Sequence, residues 1–290
     1  MNWSGLAAGV VAAWVVLGGH LQAQPPTFTT QAHGVRLDVL VTEGGRPIGG
    51  LNRGDFEVAD NGIPQVIDSV VDMQGAHVVL VLDTSSSVTG ERLAALAAAA
   101  RTVMAGVTER DRATLLTVSG DIRRVELPRS SALAAAAAGS TALYDAILTA
   151  SLLSFEDTRP TVAMVLTDGL DTSSWLTASE LNDVLRRRDV VIYPVLVGAT
   201  ANRASGDSVL VSRMDAVRRF AETTGGRVLD VDTHTDFPAA VASILDEYRQ
   251  RYMVTFTPTD DTPGLHRLQL RVRGRRTKVT MRQEYWRRPS

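Results

Sequence analysis

Five apolar residues, Val78-Val79-Leu80-Val81-Leu82, run without interruption into Asp83-Thr84-Ser85-Ser86-Ser87. Strand formers that are apolar at odd and even positions alike read as a strand buried on both faces. Such a strand belongs inside an α/β sheet with helices on either side. The carboxyl end of the strand is where open sheets of this kind bind ligands. Here that end carries one carboxylate, Asp83, and hydroxyls at alternate positions, Ser85 and Ser87. All three are oxygen donors, which suit a hard cation such as Mg²⁺.

From His77 onward the chain alternates between strand and helix patterns. Strands rich in Val, Leu and Ile are predicted at 78–83, 113–118, 122–127, 161–167, 190–196 and 226–230. Helical stretches are predicted at 90–106, 141–153, 177–188, 209–224 and 236–249. Ser119-Gly120-Asp121 between the second and third strands reads as a hairpin, so one edge strand is antiparallel. The remainder is a doubly wound, mostly parallel sheet of Rossmann-like type over 77–249.

The flanks have a different rhythm. Val35–Thr42, Asp55–Asp60 and Pro64–Val71 alternate polar and apolar residues, with Asn61-Gly62 marking a tight turn. Arg251–Thr257, Leu265–Val272 and Thr277–Tyr285 alternate in the same way. Neither flank is long enough to be stable alone. The expectation is a small antiparallel β-sandwich made of 34–72 and 250–286, with the α/β domain inserted between them. Charge agrees with this pairing: 34–72 has seven acids against three Arg, whereas 265–290 has eight Arg and one Lys against one Glu.

Leu6–Gly19 is apolar and too short for a comfortable span, which takes about 20 residues. It matches the hydrophobic part of a secretory signal, so 1–23 reads as a signal peptide and 24–33 as a linker. An exported protein, periplasmic or secreted, is the expectation, with no stable membrane span after cleavage; an uncleaved anchor is the alternative. The chain has no Cys, so an oxidising compartment is permitted without being signalled.

Two further places supply matching oxygen ligands. Gly139-Ser140-Thr141 stands at a loop-to-helix junction, and Val165-Leu166-Thr167-Asp168-Gly169 is a second apolar strand ending in Asp. With these in place the chain resembles a von Willebrand factor type A domain with a metal-ion-dependent adhesion site. Asp83, Ser85 and Ser87 match the family's D-x-S-x-S, Thr141 its loop threonine and Asp168 its D-G aspartate. Asp55-Phe56 and Asp60-Asn61-Gly62 with Pro64-Gln65 resemble a bacterial, acidobacterial-type subgroup of exported A-domain proteins. In layout alone, the interrupted sandwich is similar to the hybrid domain that carries an inserted A-type domain in integrin β chains.

The resemblance implies a metal held by Asp83, Ser85, Ser87, Thr141 and Asp168. It would be Mg²⁺, with Mn²⁺ or Ca²⁺ as alternatives, and would keep one position open for an Asp or Glu of a protein partner. The implied role is adhesion or binding rather than catalysis. Simpler readings stand beside it. Ser87 or Thr89 would cap the 90–106 helix, Thr141 would cap the next helix, and Asp168-Gly169 would be only a turn.

Other classes find little support. None of the five His has metal-ligand spacing. The chain lacks a G-x-S-x-G elbow, a P-loop and a G-x-G-x-x-G loop. The basic carboxyl-terminal strands lack an aromatic platform, so no nucleic-acid partner is expected. The alternatives retained are a metal-assisted hydrolase and an envelope scaffold with a non-functional metal site.

Overall fold

A computed structural model describes residues 34–85, 90–125, 139–155, 159–197 and 208–288, except for the side chains of 209 and 210. The stretch read as signal and linker lies outside the described residues.

Among the described residues five strands precede the central domain: β1 (Val35–Glu43), β2 (Arg46–Pro47), β3 (Phe56–Asp60), β4 (Ile63–Gln65) and β5 (Ile67–Asp72). The central sheet follows with β6 (His77–Asp83), β7 (Arg112–Val118), β8 (Ile122–Val125), β9 (Thr161–Thr167), β10 (Val190–Val197) and β11 (Leu229–Val231). The helices are α1 (Glu91–Gly106), α2 (Leu143–Leu152), α3 (Ala178–Leu185), α4 (Ser208–Thr224) and α5 (Phe237–Arg249). Four strands close the chain: β12 (Tyr252–Phe256), β13 (Gly264–Val272), β14 (Lys278–Thr280) and β15 (Glu284–Arg287). Among the described residues no helix is long and apolar enough to cross a membrane.

The central sheet runs β11-β10-β9-β6-β7-β8, parallel throughout except for the β7/β8 hairpin. All seven residues of β6 are buried. Val78, Leu80 and Leu82 point to one side, against α1 and α5. Val79 and Val81 point to the other, with α2, α3 and α4. Each such buried side chain stabilises the fold by roughly 1.5–3 kcal/mol. A polar residue anywhere between Val78 and Leu82 would lose that and add a desolvation cost.

The described segments on either side of the central domain pair with each other. One sheet has the order β14-β1-β12-β5 with β2 beside β1, and the other β15-β13-β3-β4. Their apolar faces share a core that includes Leu37, Val39, Val58 and Phe256. Phe56 meets Tyr252 edge-on at 5.5 Å between ring centroids. Asn61 and Gly62, at φ 49° and 81°, form the tight β3/β4 turn that an Asn-Gly pair favours. Glu57 of β3 pairs with Arg271 and Arg273 near the far end of β13. These pairs are exposed and screened by solvent, so they guide strand pairing more than they hold it.

Two segments expected as single strands are each split. Pro64–Val71 breaks at Val66, where the chain leaves the β3 sheet as β4 and enters the β12 sheet as β5. Gln65 holds this corner: its Nε2 donates to Thr259 Oγ1 at 3.1 Å and its Oε1 accepts from Thr259 N at 3.0 Å. Thr277–Tyr285 breaks in the same manner, with β14 on β1 and β15 on β13. Alternation along a strand does not reveal a change of sheet, because both sheets face one core. The helix expected over 177–188 ends at Leu185, where Arg187 and Arg188 donate to Val184 and Leu185 carbonyls in a tightened last turn. The strand expected at 226–230 begins only at Leu229. Gly226 instead crosses the Ile192 carbonyl so closely that a Cβ would lie 1.9 Å from its oxygen.

Where the sandwich meets the central domain, Arg251 is fully buried. Its Nε donates to Tyr193 Oη at 3.0 Å, Nη1 to the Asp38 carbonyl at 3.0 Å and Nη2 to the Gly225 carbonyl at 2.7 Å. One guanidinium thus joins β1, β10 and the turn after α4. A second polar cluster lies inside the sandwich. There His266 Nδ1 contacts Asp60 Oδ1 at 2.9 Å, and Tyr285 Oη donates to Asp60 Oδ2 at 2.7 Å.

Arg251→Ala should lower the unfolding free energy by about 3 kcal/mol or more, because it strands buried acceptors. Urea denaturation measures this, and a loss below about 1 kcal/mol would refute the clamp. Asp38 gives a pH-dependent test. Burial raises its carboxyl above the usual range, against the pull of Arg36 and Arg251. A raised carboxyl favours the protonated fold, so stability falls as pH rises through that range. Asp38→Asn should therefore match or exceed wild type at pH 7, and its advantage should shrink as the pH falls toward 4. Melting curves at the two pH values decide it.

Candidate metal centre

Asp83 ends β6 and Asp168 follows β9, its parallel neighbour, in a register that pairs Leu82 with Leu166. Both carboxylates therefore leave the same edge of the sheet. Asp83 is buried, with Oδ1 accepting from Ser85 N at 3.1 Å and Oδ2 from Thr167 Oγ1 at 3.0 Å. Asp168 is more open; its Oδ1 accepts from Leu170 N at 3.1 Å. Burial raises the Asp83 carboxyl above the ordinary range, and the negative charge of Asp168 adds to that rise. A buried carboxylate with a second one beside it forms a site that favours a cation.

Thr141 joins the same edge. Ala142 N donates to the Ser119 carbonyl just beyond β7, while Thr172 N and Ser173 N donate to the Thr141 carbonyl at 2.9 and 3.1 Å. Thr141 is buried, as is Ser85. Ala142 is the N-cap residue of α2, without a side-chain cap, so Thr141 is not serving as the cap. The N-cap of α1 is Gly90, at φ 56°. Ser87 lies outside the described residues, as does Thr89.

Two neighbours of the site carry no motif signal. Arg92, in the first turn of α1, reaches both carboxylates: Nη2 is 3.8 Å from Asp83 Oδ2 and Nη1 is 3.6 Å from Asp168 Oδ2. The only pointer in the sequence is its place one turn into the helix that follows the Asp83 loop. His234 sits in a short 3₁₀ turn before α5. Burial lowers its pKa, the charge of Arg92 lowers it further, and Asp168 opposes both. Its Nε2 is buried without a hydrogen-bond partner among the described residues. Nothing in the sequence spacing points to it, because only the fold places β11 next to β10 in the sheet that also carries β9.

Among the described residues no three or more His, Cys, Asp or Glu are grouped to hold a metal ion. The oxygen-bearing residues brought to this edge are instead the carboxylates Asp83 and Asp168 and the hydroxyl residues Ser85 and Thr141. Oxygen-only donors of this kind fit a hard divalent cation and suit neither zinc nor copper.

Residues 78–171 match the family model for the von Willebrand factor type A domain. The central sheet with its helices has the von Willebrand factor type A fold. The matched stretch runs from β6 to Asp171 and contains Asp83, Ser85, Ser87, Thr141 and Asp168. No curated protein matches the chain significantly in sequence. Solved structures similar in fold include a von Willebrand factor type A protein from Catenulispora acidiphila, at 12% identity and TM-score 0.46, covering 89% of this chain and 75% of that one. Another is the vWF domain of the type V pili tip protein Mfa5 from Porphyromonas gingivalis, at 12% identity and TM-score 0.43, covering 61% and 95%. A third is the manganese-loaded TRAP protein of Plasmodium vivax, at 8% identity and TM-score 0.42, covering 78% and 97%.

The rim of this central domain is braced from below. Asp145 of α2 accepts from Trp175 N at 2.9 Å and Leu176 N at 3.3 Å, and Asp171 accepts from Ser174 Oγ at 2.5 Å. These bonds hold the loop after Asp168 with the Trp175 side chain 95% exposed. Asp145→Ala should raise amide exchange at Trp175 and Leu176 by about tenfold, the effect of losing one charged hydrogen bond. Hydrogen-exchange mass spectrometry reads this directly, and unchanged exchange would show that the loop is held elsewhere.

Proposed function

We propose that this chain is an exported, non-enzymatic binding protein that recognises an acidic side chain of a protein partner across a divalent metal. The carrying observation is the meeting of the Asp83 and Asp168 carboxylates at one sheet edge, where burial and mutual repulsion call for a cation. Asp83, Ser85, Ser87, Thr141 and Asp168 would hold the metal, Mg²⁺ first, with Mn²⁺ or Ca²⁺ as alternatives. A metal so held offers an open coordination position to an incoming Asp or Glu. The chain's own part is to keep the carboxylates in register through β6 and β9 and to fix the Thr141 loop against Thr172 and Ser173.

The exposed Trp175 supports a protein partner. A large aromatic ring presented on a braced loop is typical of interface anchors. The apolar Leu6–Gly19 stretch supports export, and the flanking turn motifs fit the acidobacterial-type subgroup. A hydrolase is the second reading, and it has one observation in its favour. His234 is an imidazole disposed toward the neutral form within electrostatic reach of Asp168, and a neutral imidazole can act as a base.

Mg²⁺ titrated calorimetrically into the wild-type protein should give a binding isotherm that Asp83→Ala abolishes. Equal heats in both would refute the metal assignment. Capture of envelope proteins on the immobilised chain should depend on Mg²⁺ and be reversed by EDTA. Trp175→Ala should weaken that capture about tenfold or more, within the range of an interface anchor, and leave the Mg²⁺ isotherm unchanged. Turnover of a phosphate ester that disappears in His234→Ala would favour the hydrolase instead.

A further inference from the structure

We propose that Arg92 is the built-in cation of this site. In the metal-free protein its guanidinium holds Asp83 and Asp168 together, and a divalent ion must displace it to bind. The inference rests on reading the site as a metal centre.

The geometry has three parts. First, the two Nη atoms of one planar fork face one oxygen from each carboxylate, at 3.8 and 3.6 Å. Second, these distances exceed those of charge-assisted hydrogen bonds, which run at about 2.7–2.9 Å. The pairing is therefore coulombic and loose enough to be exchanged. Third, the Arg92 side chain is 11% exposed and that of Asp83 only 1%. Solvent screens such charges poorly, so a fixed positive charge and an arriving one repel each other strongly.

A divalent ion of Mg²⁺ size sits about 2.0–2.1 Å from its oxygens. The guanidinium faces Asp83 Oδ2 and Asp168 Oδ2 from 3.8 and 3.6 Å, so a cation arriving at those oxygens meets its positive charge. Arg92 therefore does two things in succession. In the absence of metal it offsets one of the two negative charges at the ends of β6 and β9. It then sets a threshold for metal entry, because metal binding must overcome this ion pairing.

Three proteins test this: wild type, Arg92→Lys and Arg92→Met, each as the full chain. MgCl₂ and MnCl₂ are titrated by calorimetry, and melting is followed in EDTA. Arg92→Met should bind either metal about tenfold tighter or more, since the competing charge is gone. Arg92→Lys should stay within about threefold of wild type, since the charge is kept. In EDTA, Arg92→Met should melt below both other proteins and gain the most on adding metal. Equal or weaker binding by Arg92→Met would overturn the displacement and leave Arg92 as a positioning residue. No heat from any of the three would overturn the metal reading and the displacement with it. If Arg92→Met does not fold, the wild type still decides: the Arg92 Nε–Hε NMR signal should move as Mg²⁺ binds, and a stationary signal during measurable binding would overturn the proposal.

Discussion

Burying β6 on both faces sets the terms for the rest of the molecule. Val78, Leu80 and Leu82 require one helical layer and Val79 and Val81 require another. Once both layers are present, water reaches the strand only at its ends. Asp83 stands at such an end and keeps its charge environment without the help of bulk solvent. Asp168 arrives beside it for the same reason, because β9 is the neighbouring strand and is equally buried. The electrostatic strain of the site thus follows from hydrophobic packing. Arg92, Thr167 and the Ser85 amide are the groups the chain provides to relieve it.

The outer sheets solve a different problem. Their strands come from the two ends of the chain and depend on each other for a core. Tyr252, Phe256 and Phe56 supply apolar area, while two buried polar clusters fix direction. Arg251 binds carbonyls from segments far apart in sequence, and the Asp60, His266 and Tyr285 group joins β3, β13 and β15. A buried guanidinium whose hydrogens meet fixed oxygens is highly directional, so these groups select one arrangement among many apolar ones.

The sequence reveals elements more readily than contacts. The apolar strand runs, the Asn61-Gly62 turn and the strand–helix rhythm are local signals, and each marks a feature of the observed fold. The sheet switches at Val66 and at Met281–Gln283 were hidden, because residues on either side of each switch face one shared core. Asp83, Ser85, Thr141 and Asp168 stand out in the sequence because each ends an element in a recognisable tripeptide or pentapeptide. Arg92 and His234 do not, because what brings them to the site is the direction of a helix turn and the order of strands in a sheet.

Asp72 at the end of β5 and Tyr252 at the start of β12 are register partners in an antiparallel pair. The whole central α/β unit leaves and re-enters the sandwich between those two residues. Topologically the sandwich meets a β-hairpin whose connection happens to be a folded domain. Closing a longer connection costs only about 0.6 kcal/mol per doubling of its length, and a domain that folds on its own removes even that dependence. The two strands that carry the insertion sit where a short turn would serve equally well. The sandwich is therefore a socket with one two-stranded mouth, and any different domain placed there would have to replace the Tyr193 and Gly225 partners of Arg251.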